Sequence, residues 1–122
     1  MAGPRLAMSG AFDTSAIARL ERIGGAKLVR QMIGLYLDNG PARVQSILDG
    51  VAADDAARVE LAAHTLKSSA GNVGAVHLQH TAQLVETAAA AGTFDTALTR
   101  QLETQYHESA AALLRALEEL GP

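Results

Sequence analysis

The chain has 122 residues, a formal charge of −3 and no cysteine; this supports one core and excludes disulfides, thiolate metal sites and a cysteine nucleophile. Hydrophobic residues make up 48% and aromatics only 3%, an alanine-rich balance that suits close helix packing better than a strand core. The acidic charge leaves no basic surface for nucleic acid or an anionic membrane.

Met1 to Gly10 contains Arg5 but no continuous apolar run of the kind a signal peptide needs. Elsewhere nothing approaches the ~18 apolar residues of a membrane span. Residues 1–11 are expected to form a flexible segment and residues 12–121 one helical domain, in a cytoplasmic protein.

Asp13, Thr14 or Ser15 can cap a short helix carrying Ile17, Leu20 and Ile23, which Gly24-Gly25 ends. Leu28, Met32, Leu35 and Tyr36 mark a second helix. Asn39-Gly40-Pro41 should break or kink it, because Pro41 lacks an N–H and disfavours α geometry at Gly40. Val44, Ile47, Leu48 and Val51 then resume the same period. Asp54 or Asp55 can cap a helix that runs to about Val73 and stops near Gly74. The next helix, about Ala75 to Ala91, aligns Leu78, Ala82, Val85 and Ala89, and Gly92 closes it. Thr93 or Asp95 can cap the last, with Leu98, Leu102, Leu113, Leu117 and Leu120. No alternating apolar/polar segment suggests a strand. The expected fold is all-α: a monomeric, up-down four-helix bundle with a short additional N-terminal helix. Bundles host many functions, so the chemistry must come from the residues.

The informative helix contains Ala63-His64-Thr65-Leu66-Lys67-Ser68-Ser69-Ala70-Gly71. At about 100° per residue, Val59, Ala62, Leu66, Ala70 and Val73 cluster opposite His64 as a core stripe. His64 therefore faces solvent, with Glu60, Lys67, Ser68 and Gly71 around it. A neutral imidazole is a nucleophile near neutral pH and can form covalent intermediates. Lys67, at i+3, can reach the charge of a phosphoryl group on that ring. Glu60, one turn earlier, could accept a ring N–H and orient it. Ser68 and Gly71 leave room for another protein, and a mid-helix glycine costs up to ~1 kcal/mol relative to alanine, so close approach is a reason to look for. Geometry alone leaves open an ordinary surface histidine and an early helix end at Gly71.

This segment, followed by Asn72-Val73-Gly74-Ala75, resembles the signature of histidine phosphotransfer (Hpt) domains of bacterial two-component phosphorelays. His64, Leu66, Lys67, Ser69, Gly74 and Ala75 fall on that signature; Ser68 stands where Gly is usual and Val73 where Leu is usual. Ile23-Gly24-Gly25, Leu35-Tyr36-Leu37-Asp38, Leu78 and Val85-Glu86 extend the resemblance over most of Asp13 to Leu120. It implies that His64 accepts a phosphoryl group from a receiver-domain aspartate and passes it to another. Lys67 would be the electrostatic aid, and Glu60, Ser68, Ser69 and Gly71 the docking face. Receiver domains would be the partners and would hold the magnesium, the chain itself needing no cofactor or metal.

Competing chemistries find less support. Glu60/His64 and Glu103/His107 share a Glu-x-x-x-His spacing, but His64 lies outside the core stripe where a bundle metal site would sit. His77, His80 and His107 are expected to be solvated surface residues. No nucleophile elbow surrounds Ser68 or Ser69, and no Gly-rich loop with Lys-Ser/Thr offers an ATP site or autonomous kinase activity. The alternative from another class is a non-catalytic helical adaptor that binds signalling partners.

Overall fold

Asp13 opens the first helix by accepting a hydrogen bond from the Ser15 N–H at 3.0 Å, satisfying one of the donors that a helix start leaves unpaired. The structure, a computed structural model, describes residues 12–121; the segment expected to be flexible, residues 1–11, lies outside them. Four helices follow one another: α1 (Thr14–Ala52), α2 (Ala56–Val73), α3 (Val76–Ala90) and α4 (Thr96–Leu120). No strand occurs among the described residues; one isolated antiparallel bridge pairs Phe12 with Ala75. No helix among them is long and apolar enough to cross a membrane.

Caps and glycines set the limits of the helices. Asp55 and Asp95 accept from the N–H groups of Arg58 and Leu98, each at 3.1 Å. Gly74 ends α2 in the left-handed region, at φ 78°. A β-carbon there would also strike the Asp13 carbonyl, whose residue donates its N–H to Gly74 O at 2.7 Å. The expected short N-terminal helix is the part of α1 before Gly25, whose φ of 68° and ψ of −168° interrupt the helical path.

Of the break or kink expected at Asn39-Gly40-Pro41, the break does not occur. Pro41 lies exposed inside α1, with helical backbone on both sides. Val29, Ile33, Tyr36, Gly40, Val44 and Ile47 form one buried stripe that runs past it. Packing along that stripe outweighs the hydrogen bond that proline removes. Gly40 belongs to the packing, because a β-carbon there would collide with the Tyr106 ring of α4.

Short connections make consecutive helices antiparallel, and α4 returns against α1. The backbones of α1 and α3, and of α2 and α4, do not approach one another, giving a square arrangement around one core. Val59, Ala62, Ala63, Leu66, Ala70 and Val73 line that core from α2; Leu78, Ala82, Val85 and Ala89 line it from α3.

Candidate functional site

His64 stands in the middle of α2 with its side chain 58% exposed. The core stripe expected on that helix is buried, which turns the imidazole outward. Its orienting partner is a residue of α3, not Glu60. Glu86 Oε2 lies 2.8 Å from His64 Nδ1, while Glu60 makes no hydrogen bond or ion pair with the ring. Glu60 projects from the same helix one turn away, whereas the antiparallel α3 brings Glu86 directly against the ring.

Glu86 serves two partners. Lys67 Nζ approaches Oε1 at 2.7 Å and also donates to Gln83 Oε1 at 2.9 Å. Gln83 in turn donates to Thr87 Oγ1 at 3.0 Å, which fixes the amide orientation. The Lys67 hydrogen bond, then that of His64, holds the Glu86 carboxyl below the usual glutamate range despite its partial burial. Glu86 is therefore ionised at neutral pH and can only accept, so Nδ1 must carry the ring proton toward it. In the neutral ring the lone pair then sits on Nε2, which has no partner among the described residues.

The remaining expected site residues separate. Ser68 is exposed beside His64. Ser69 is half-buried and returns its hydroxyl to the Thr65 carbonyl at 3.1 Å, so it is tied into its own helix. Gly71 is half-buried, and the amide of Gln79 from α3 fills the place a side chain would take. Its missing side chain thus leaves room for the end of the Gln79 side chain. His77, His80 and His107 are exposed; His107 meets the edge of Tyr106 with ring centroids 5.8 Å apart. No group of three or more acidic, histidine or cysteine residues could hold a metal among the described residues.

Gln83 and Glu86 are the site residues to which the sequence assigned no role. They lie at i, i+3 beside the buried Ala82 and Val85, a visible polar edge on α3. Periodicity within one helix does not give the register between two, so their alignment with Lys67 and His64 needed the fold.

Comparison with known proteins identifies the family and the fold. The family pattern of the Hpt domain matches residues 31–120, which contain His64, Lys67, Gln83 and Glu86. No curated protein matches the chain. Among solved structures, the crystal structure of histidine-containing phosphotransfer protein B (HptB) from Pseudomonas aeruginosa PAO1 superposes with a TM-score of 0.85. That match covers 92% of this chain and 98% of the other at 20% identity, a likeness of fold. Since the family pattern takes in most of the sequence, including the helix that carries His64, the chain belongs to the Hpt domain family.

Proposed function

We propose that the protein is a phosphorelay intermediate that accepts a phosphoryl group on His64 from a receiver-domain aspartate and passes it to another receiver. The observation that carries this reading is the pairing of Nδ1 with an ionised Glu86, which leaves an exposed Nε2 lone pair as the nucleophile. The Nε2 lone pair attacks phosphorus in line with the departing aspartate oxygen, and Lys67, one turn away, offsets the charge on the phosphoryl oxygens. Its ammonium spends two contacts on Glu86 and Gln83, leaving a third N–H to turn toward the phosphoryl group. Magnesium is supplied by the receiver.

The test is incubation with phosphorylated receiver domains. The protein should gain an acid-labile, base-stable phosphate, and His64→Gln should gain none while keeping its helicity, since the ring is exposed and Lys67 remains to pair with Glu86. Receiver binding without any transfer would instead favour an adaptor.

A further inference from the structure

The carboxylate that orients His64 also has a consequence for the phosphorylated state. Glu86 is 18% exposed against 58% for the imidazole, so the charge lies on the protein side of the ring and Nε2 on the solvent side. When Nε2 forms the N–P bond, the P–O bond to the receiver aspartate breaks, and its electron pair leaves with the aspartate carboxylate. The Nδ1 proton stays, so the neutral ring becomes a cation beside Glu86. In the onward step a receiver carboxylate attacks phosphorus, the N–P bond breaks and its electron pair returns to Nε2. A ring that has kept its Nδ1 proton departs as neutral imidazole; one that has lost it must depart as imidazolide, a far poorer leaving group.

We infer that Glu86 holds the Nδ1 proton on phospho-His64 into mildly alkaline pH and so keeps the phosphoryl group transferable. This rests on the phosphocarrier reading of His64 and assigns Glu86 as a positioning residue within it. Glu86 is the one carboxylate that α3 brings to the ring. On α2 itself, Glu60 makes no ion pair with the ring, and Lys67 opposes the effect with a charge shared between Glu86 and Gln83. From α1, the charged side chain tied to α2 is Asp49, paired with Arg58 at 3.5 Å almost two turns before His64. An opposite charge within hydrogen-bond distance favours the protonated ring, although exposure to water moderates the effect.

The test loads the intact protein with phosphoramidate, a small-molecule phosphoryl donor, and follows loss of phosphate and the ring ¹⁵N shifts across pH. Wild type should lose phosphate at a steady rate through neutral pH and slow only under alkaline conditions. Glu86→Gln, which keeps the size but not the charge, should move that falling limb to lower pH by about 0.5–1 unit. Above it, release and transfer to a receiver should be roughly 3- to 10-fold slower than wild type. Glu86→Asp should fall between the two, with circular dichroism reporting that both variants are folded. Coincident profiles for wild type and Glu86→Gln would overturn the role of Glu86 while leaving His64 as the carrier. A wild-type protein that takes phosphate from neither phosphoramidate nor a phosphorylated receiver would overturn the phosphocarrier reading itself.

Discussion

Lys67 is held by a carboxylate and an amide before any phosphoryl group arrives, at 2.7 Å and 2.9 Å. Its ammonium is thus placed beside His64 in advance, and in the proposed transfer its remaining N–H would turn toward the phosphoryl group. A single partly hydrated cation should contribute ~1–2 kcal/mol to the transition state, so Lys67→Ala should slow transfer roughly 5- to 30-fold. Affinity for the receiver should change little, and Lys67→Arg should retain part of the rate, because its charge is spread over a larger planar fork. Rapid-quench measurements at saturating receiver separate the two quantities; a Lys67→Ala protein as fast as wild type would remove Lys67 from the chemistry. The outward placement of His64, with Lys67 one turn away, was legible in the sequence because both lie on one helix, where periodicity gives direction. Glu86 was not, being 22 residues further along, and the orienting role expected of Glu60 follows from reasoning within one helix.

At the scale of the element, α1 shows how packing overrides a local signal. Asn39-Gly40-Pro41 reads as a breaker, yet Tyr36 and Val44 on either side are buried in the same stripe as Gly40. Gly40 lets Tyr106 lie against the α1 backbone, where its hydroxyl donates to the Tyr36 carbonyl at 3.0 Å. Gly40→Ala should therefore destabilise the fold by about 1–3 kcal/mol through overpacking, despite alanine's better helix propensity. Gly71→Ala provides the contrast, since the obstructing group is the movable end of Gln79. Urea unfolding compares them directly, and a Gly40→Ala protein as stable as Gly71→Ala would contradict this assignment. The caps were readable because Asp55, Gly74 and Asp95 act through their own backbone neighbourhoods. The role of Gly40 depends on a residue of α4, which no local pattern reveals.

Across the whole molecule, α4 is tied to α1 by two buried tyrosines whose rings are 5.2 Å apart. Ser109 donates to the Tyr106 carbonyl at 2.8 Å, so the 2.6 Å contact with Tyr36 has the phenol as donor. Burial pushes the Tyr106 hydroxyl up to about 12 and Tyr36 well above the ordinary phenol range. Raised folded-state values mean that this contribution to stability is fully present below the unfolded tyrosine value, ~10, and is lost as pH rises through the folded values. The urea midpoint should accordingly fall above about pH 10, and less steeply in Tyr36→Phe. A flat profile to pH 12 in wild type would contradict the clasp.

The central claim, that His64 alone carries the phosphoryl group, is tested most directly by finding where the phosphate sits. Trypsin cuts after Arg58, Lys67, Arg100 and Arg115, which places His64 in the peptide Val59–Lys67, His77 and His80 in Ser68–Arg100, and His107 in Gln101–Arg115. After transfer from a phosphorylated receiver and digestion under alkaline conditions, mass spectrometry should find an acid-labile phosphate on Val59–Lys67, and fragmentation should place it on His64. Phosphate on either of the other two peptides, or on Thr65, would contradict the account.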